Sequence, residues 1–292
     1  MKSETMSAFD EPRSAAPVRQ IWVFLAVLIV LSTIADLISI HQVHPNPMTS
    51  RFVMWVPAFA AFITCGLCGV DMATLGWRWP GTRWLTRAFF VPFLYTLPVY
   101  VFTWLILRGS FDLNTFMHNV AESYNLGDAP VFGTFVVGLP LLLTVGMIGS
   151  IAWALGEEIG WRGFLLPRLA SHIGYTGASL VVGVIWAVWH YPGLLLGTYN
   201  AGTNPVYAVV CFTLAVVAMS FAVGWLRLRT RSIWPCAMIH ASHNTFVQGI
   251  FDPLTADTGV SRYITTEFGA GLAIVITVTG YLFWARRARL PS

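Results

Sequence analysis

Long apolar runs separated by short polar segments are the dominant pattern along this chain. Each run has about 20 residues, the length that a helix needs to cross the hydrocarbon core of a bilayer. Eight such runs are found, at 20–40, 52–70, 88–107, 131–155, 175–197, 205–226, 233–251 and 263–284. The pattern therefore predicts an all-α fold: a polytopic membrane helical bundle of about eight transmembrane helices.

The composition excludes most soluble classes of protein. Hydrophobic residues make up 56% of the chain and charged residues 10%, and the mean hydropathy is +0.67. A soluble globular domain carries roughly 25% charged residues, so this chain lacks the residues for a water-exposed surface. The arginines stand in small groups between apolar runs, which argues against nucleic acid as a partner. The expected partners are the lipid bilayer and a membrane-bound protein or peptide substrate, and the oligomeric state stays open.

The basic residues predict an orientation in the membrane. With the N-terminus in the cytoplasm, 14 of the 17 Lys and Arg residues fall on the inner side of the membrane. The three on the outer side are Arg51, Arg108 and Arg262. Cytoplasmic loops carry such an excess of basic residues. We therefore expect both termini to be cytoplasmic, with a polar tail over 1–19, a single membrane domain over 20–292 and a long outer loop over 109–130. The predicted location is the cytoplasmic (inner) membrane of a bacterium.

Charged residues beside the fourth run are the first candidates for chemistry, because a charge at the bilayer centre costs roughly 2.5–3.5 kcal/mol. Glu157, Glu158 and Arg162 lie among apolar residues at the inner end of this run. Glu158 and Arg162 are four residues apart, share a helix face and are expected to form a structural pair. Glu157 projects about 100° away from them, with no partner expected in its own segment. A plain cytoplasmic helix end with a surface ion pair is the alternative interpretation.

Two further polar clusters lie in other runs. His190 stands in the fifth run, with Trp186 one turn earlier on the same face, and alone it is as well explained as a buried core histidine. In the seventh run, His240 and Asn244 are four residues apart and share a face. The alternative, purely structural explanation for His240 and Asn244 is hydrogen bonding between helices.

The three clusters together supply the groups of a hydrolytic site. Glu157 and His190 could hold a water molecule and take its proton, because a buried carboxylate is suited to general-base catalysis. His240 and Asn244 offer N–H donors for the oxyanion that forms when a carbonyl is attacked. Other polar residues, such as Glu267 in the first turns of the eighth run, are assigned no role.

One difficulty concerns depth in the membrane. Glu157 falls at the inner end of its run, whereas His190 is roughly 22 Å into the next one at 1.5 Å per residue. For these side chains to meet, the fifth helix must begin below the membrane or the glutamates must lie deeper than the hydropathy indicates.

The order and spacing of these residues resemble the CPBP family of intramembrane proteases, which includes the CAAX prenyl endopeptidase (CAAX prenyl protease 2) type and bacteriocin-processing and immunity proteins. The family pattern is Glu-Glu-x-x-x-Arg, then Phe-x-x-x-His, then His-x-x-x-Asn or Asp, on separate helices. The first motif is matched by Glu157, Glu158 and Arg162, and the third by His240 and Asn244.

The second motif departs from the family, because Trp186 stands where the family has Phe, four residues before His190. The resemblance covers residues 131–251, the expected protease-like core. It implies hydrolysis of a peptide bond in or at the membrane by a glutamate-dependent or a metal-dependent enzyme. The residues it implies are Glu157, His190, His240 and Asn244 as catalytic groups, Glu158, Arg162 and Trp186 as structural support, and Glu157, His190 and His240 as ligands if a divalent metal such as zinc is used.

The metal-free mechanism is favoured, since it needs only a bound water and an oxyanion hole, and no His-Glu-x-x-His helix is found. Two other classes of function stay open. A proton-coupled secondary transporter could use buried Glu, His and Arg residues as a proton relay, although no internal repeat is found. A non-catalytic immunity or scaffold protein on the same fold is the second alternative.

Overall fold

The computed structural model describes residues 15–40, 52–127, 131–197 and 199–291, and their regular structure is helical. An isolated antiparallel bridge joins Phe111 to Thr255. The main helices are α1 (Ala15–Ile40), α2 (Val56–Cys68), α3 (Thr82–Ile106), α4 (Leu113–Ser123), α5 (Met147–Glu158), α6 (Leu166–Leu196), α7 (Pro205–Thr230), α8 (Trp234–Asn244) and α9 (Ala270–Ala285). The all-α prediction is confirmed.

Shorter helical segments connect the main helices. Two 3₁₀ turns cover Met72–Leu75 and Arg287–Arg289, and short α-helical pieces cover Val131–Gly133, Leu139–Leu141 and Ser261–Ile264. Wider π-helical turns cover Thr134–Gly138, Leu142–Gly146, Ile159–Leu165 and Thr245–Phe251. The last two of these directly follow Glu158 and Asn244, and such turns occur frequently at functional sites.

Four helical segments are long and apolar enough to cross a membrane: Pro17–Ile38, Thr82–Ile106, Val131–Leu196 and Pro205–Thr230. The helices Val56–Cys68 and Ala270–Ala285 are apolar but shorter. The chain is therefore a multi-pass membrane protein built from helices. The total of eight spans and the cytoplasmic position of both termini stay predictions.

The 66-residue segment Val131–Leu196 is bent back on itself at Gly174. This residue has φ 68° and ψ 174°, a combination that is essentially restricted to glycine. In a straight helix Glu157 and Trp186 would be about 44 Å apart at 1.5 Å per residue, yet their side chains are hydrogen bonded. The part of α6 after Gly174 therefore returns along the preceding helix. The reversal brings the glutamates and the fifth apolar run to the same depth.

The loop that the sequence predicts over 109–130 contains helix α4. Asp112 caps this helix, accepting hydrogen bonds from the backbone N–H and the hydroxyl of Thr115. These bonds lower the pKa of the exposed Asp112 carboxyl. One face of α4 buries Phe116, Met117 and Val120. The sequence analysis missed this helix because α4 is too short and too polar to be found as an apolar run.

Candidate active site

Two glycines bring the glutamate segment close to the start of α2. A β-carbon on Gly156 would lie 2.6 Å from the carbonyl oxygen of Met54, and one on Gly160 would lie 2.6 Å from that of Pro57. Small residues four apart allow such close backbone contact between membrane helices. The segment between and around them is consequently buried, with Glu157 only 2% exposed.

Glu158 is fully buried between two basic side chains. Nη1 of Arg162 donates to Oε1 of Glu158 at 2.9 Å, the pairing that the four-residue spacing predicts. The same oxygen lies 3.0 Å from Nδ1 of His240 on α8. A buried carboxylate is tolerated where opposite charges and hydrogen bonds surround it, so Glu158 links the glutamate segment to α8.

Glu157 faces two indole rings. Nε1 of Trp186 donates to Oε2 of Glu157 at 2.5 Å, and Nε1 of Trp161 lies 3.4 Å from the same oxygen. The expectation that Glu157 has no partner in its own segment is therefore wrong, because Trp161 is one turn away on that segment. Neither partner carries a formal charge, which distinguishes Glu157 from its neighbour Glu158.

Trp186 lies at the centre of the cluster. Its backbone carbonyl accepts a hydrogen bond from Nδ1 of His190 at 2.9 Å. Its ring meets that of His240 edge to face, with centroids 5.3 Å apart. The guanidinium carbon of Arg162 lies 4.2 Å from the centroid of the Trp186 ring. Since Trp186 also contacts Glu157, this one residue touches residues from all three sequence motifs.

A buried arginine on α7 holds the turn that follows the glutamates. Nε of Arg227 donates to the backbone oxygen of Arg162 at 2.9 Å, and Arg227 is 6% exposed. From its position in the sequence, Arg227 is expected among the basic residues at the inner membrane surface. Its side chain is instead part of the packing beneath the site.

The third motif is only partly joined to this cluster. His240 is 8% exposed and contacts both Glu158 and Trp186. Asn244 is half-buried one turn later, and within the described part of the chain its side chain makes no hydrogen bond to the other site residues. His243 lies on a different face of α8 from His240 and Asn244. Its Nδ1 is hydrogen bonded to the hydroxyl of Tyr95 on α3 at 2.7 Å.

Sequence reasoning missed a second polar group next to His190. The ring of Tyr199 stacks on the His190 imidazole with centroids 5.9 Å apart, and its hydroxyl donates to Oε2 of Glu267 at 2.7 Å. The Gln248 side-chain amide donates to the other oxygen of Glu267. Glu267 could have been identified from the sequence, because it is a carboxylate in an apolar run. Tyr199 lies in a loop, and no feature of the sequence distinguishes it.

A divalent metal would need a set of ligands from the described residues. Across residues 15–40, 52–127, 131–197 and 199–291, no three His, Cys, Asp or Glu side chains are grouped closely enough to hold a metal ion. Nδ1 of His190 and Nδ1 of His240 are used by the carbonyl of Trp186 and the carboxylate of Glu158. These bonds leave Nε2 of both rings free, as in histidines that bind a metal. Among the described residues it is therefore the spacing of Glu157, His190 and His240, and not the use of their nitrogen atoms, that keeps them from forming a group of ligands.

Comparison with known proteins finds a family model that matches the segment with the three motifs. Residues 138–246 match the model described as type II CAAX prenyl endopeptidase Rce1-like. A CAAX prenyl protease 2 of Methanococcus maripaludis is 28% identical over 78 residues, which are 26% of this chain and 29% of that protein. Lysostaphin resistance protein A of Staphylococcus haemolyticus is 24% identical over 268 residues, which are 90% of this chain and 64% of that protein.

These matches confirm the resemblance to CPBP-type proteases for the part of the chain that carries the motifs. The matched segment 138–246 contains each of the residues singled out from the sequence, from Glu157 to Asn244. The chain spans less than a third of one of these relatives and less than two thirds of the other.

Proposed function

We propose that this protein is an intramembrane endopeptidase that hydrolyses a peptide bond of a membrane-associated protein or peptide. The observation that supports this most directly is the contact of Glu157, His190 and His240 with the single residue Trp186, through its indole ring and its backbone carbonyl. Three motifs that are far apart in the sequence thus meet inside the bundle. The match of residues 138–246 to the CAAX endopeptidase model supports the same reaction.

Glu157 and His190 activate the attacking water in this mechanism. The carbonyl of Trp186 can only accept a hydrogen bond, so Nδ1 of His190 carries the proton and Nε2 is an acceptor in the neutral ring. A water held between this Nε2 and the Glu157 carboxylate gives up its proton to the carboxylate as its oxygen attacks the carbonyl carbon of the substrate. The proton then passes to the nitrogen of the leaving amine.

His240 and Asn244 stabilise the oxyanion in this mechanism. Nδ1 of His240 faces the Glu158 carboxylate, which favours a positive charge on the imidazole and leaves Nε2 as a donor. The Asn244 amide, one helical turn away, supplies the second donor. Loss of one such donor typically lowers kcat by about 10²- to 10³-fold. No step of this mechanism uses a metal ion.

The site is proposed to open to the cytoplasmic half of the membrane, in a protein with eight spans and both termini in the cytoplasm. The test uses a variant with a single cysteine. The four native cysteines, Cys65, Cys68, Cys211 and Cys236, are substituted, and Asn244→Cys is introduced. A membrane-impermeant thiol reagent should label this protein only from the cytoplasmic side. Labelling from both sides that changes with a solute gradient would instead indicate a transporter.

The activity is tested by Glu157→Gln, which keeps the size and the hydrogen-bonding oxygen of the side chain. Membranes of cells with the wild type and with this variant are compared by quantitative mapping of protein termini. We expect specific termini that are present with the wild type and absent with Glu157→Gln, at equal amounts of folded protein. The control is Glu122→Gln, which changes an exposed carboxylate of α4. Equal termini in all three membranes would refute the proteolytic function.

A second candidate function is resistance or immunity without catalysis. It is favoured by the alignment with lysostaphin resistance protein A, which extends along 90% of this chain. In that case a resistance phenotype conferred by the wild type would survive Glu157→Gln. Loss of the phenotype in this variant would show that it depends on the carboxylate and hence on the proposed reaction.

A further inference from the structure

Position 186 differs chemically from the residue that the resembled motif carries there. Phenylalanine has no hydrogen-bond donor, whereas the indole of tryptophan has one N–H. In this protein that N–H donates to Oε2 of Glu157 at 2.5 Å. Trp186 is 5% exposed and Glu157 is 2% exposed, so water competes little for the bond.

The indole is held in a fixed direction by its other contacts. The Arg162 guanidinium lies against its ring, with the carbon 4.2 Å from the centroid. The His240 ring meets it edge to face. Because the indole N–H is already fixed in position, it orients the Glu157 carboxylate without a further loss of conformational freedom during the reaction.

The bond also distinguishes the two oxygens of Glu157. Oε2 accepts from Trp186 and faces the more distant N–H of Trp161. Among the described residues, Oε1 has no hydrogen-bond donor, so it is the oxygen that can accept a proton from water. The carbonyl of Trp186 meanwhile fixes Nδ1 of His190 as a donor.

We infer that Trp186 is a positioning residue for water activation: its indole N–H holds one oxygen of Glu157 and its carbonyl orients His190, so that the other oxygen and Nε2 face the same water. This assignment rests on the proposed proteolytic function. It explains why the residue at this position carries a donor, which packing alone does not require.

The kinetic test uses Trp186→Phe, which keeps an aromatic ring beside Arg162 and His240 and removes the N–H and part of the ring. The substrate is a peptide around a cleavage site that Glu157→Gln abolishes. We expect kcat to fall about 10- to 100-fold with KM nearly unchanged, since misplacing a reacting group by 1 Å costs about 10²-fold. Wild-type kcat in folded Trp186→Phe would overturn the assignment.

The matched control is Trp225→Phe. Trp225 is 6% exposed, and its N–H donates to the backbone oxygen of Arg286 at 3.1 Å. Its ring neighbours are Trp84 and Phe283, away from the site. This variant also loses a buried indole and its hydrogen bond, so its kcat should equal that of the wild type. An equal loss of kcat in both variants would indicate a general effect on packing and overturn the assignment.

A second measurement does not depend on substrate or on the folding of Trp186→Phe. Indole N–H signals of ¹⁵N-tryptophan-labelled protein in lipid nanodiscs are recorded for the wild type and for Glu157→Gln. We expect a large shift of one indole signal, that of Trp186, and a smaller shift of a second, identified as Trp161 by its absence in Trp161→Phe. The same signals should stay in place in Glu122→Gln. Unchanged indole signals in Glu157→Gln would overturn the assignment.

The outcomes separate this inference from the proposed function. If Glu157→Gln retains cleavage, the proposed function fails and the positioning role fails with it. If Glu157→Gln is inactive while Trp186→Phe has wild-type kcat, the function stands and only the positioning role of Trp186 is refuted.

Discussion

At the scale of single residues, the adjacent glutamates Glu157 and Glu158 differ in the side chains that surround them, and we infer different roles from this difference. Glu158 is paired with Arg162 and His240, whereas Glu157 accepts hydrogen bonds from uncharged indoles. A carboxylate held by cations is suited to holding helices together. One held by neutral donors is not committed to an ion pair, and we therefore assign stability to the first and chemistry to the second.

Arg162→Ala should lower the yield of folded protein strongly. It leaves Glu158 buried with only His240 as a basic partner, and breaking one side of a buried ion pair costs about 3–5 kcal/mol. The measurement is monodisperse yield in detergent, together with thermal unfolding. The control is Arg262→Ala, whose partly exposed pair with Asp257 at 3.3 Å contributes about 0–1 kcal/mol. Wild-type yield of Arg162→Ala, with poor yield of Glu157→Gln, would mean that the roles of the two glutamates are reversed.

Tyr199→Phe should lower the midpoint of thermal unfolding. The variant keeps the ring that stacks on His190 and removes the donor to Glu267, a carboxylate that is 8% exposed. An unsatisfied buried acceptor costs about 1–3 kcal/mol. Tyr281→Phe, at an exposed position of α9, serves as the control and should unfold like the wild type. A wild-type midpoint in both variants would refute the structural importance of the Tyr199 hydroxyl.

The sequence predicts some residue contacts and not others for a physical reason. The pairing of Glu158 with Arg162 follows from helical spacing, which is local. The bond from Trp186 to Glu157 joins residues 29 positions apart, and it depends on a reversal at one of 25 glycines. Nothing in the local pattern singles out Gly174, so Trp186 could not be found as a partner of Glu157 without the fold, whereas Trp161, four residues away, was within reach of helical spacing.

At the scale of helices, the glutamate segment owes its position to close contact with α2. Gly156 and Gly160 leave no room for a β-carbon against Met54 and Pro57. Long apolar runs predicted the four long apolar helical segments, because hydropathy over about 20 residues is a strong signal. They could not predict α4, whose stability depends on an N-terminal cap and one buried face.

Gly160→Ala should reduce both folded yield and proteolysis. Its β-carbon would lie 2.5 Å from the β-carbon of Pro57 and 2.6 Å from the Pro57 carbonyl oxygen, and overpacking of this kind costs typically about 1–3 kcal/mol. Gly149→Ala is the matched control, because it lies in α5 with nothing within 4 Å of its β-carbon. It should be as stable as the wild type or slightly more stable. Equal behaviour of the two variants would contradict the close contact.

At the scale of the whole molecule, the prediction with the widest consequences is the eight-span topology. A fluorescent protein that folds only in the cytoplasm should be fluorescent when fused after residue 292. A phosphatase that is active only outside the cytoplasm should be active when inserted at Gly109, in the predicted outer loop. The opposite result at either position would overturn the orientation inferred from the basic residues.

The reversal at Gly174 makes the site sensitive to the length of the chain as well as to its composition. The helical arms on either side of this glycine meet through Glu157 and Trp186. A residue inserted into either arm would rotate the side chains that follow it by about 100° around the helix axis and shift them by about 1.5 Å along that axis. Such an insertion hardly alters hydropathy, so the protein would still enter the membrane, but carboxylate and indole would no longer face each other. The two arms therefore have a fixed length: a substitution that keeps their contacts leaves the site in register, whereas the gain or loss of a single residue does not.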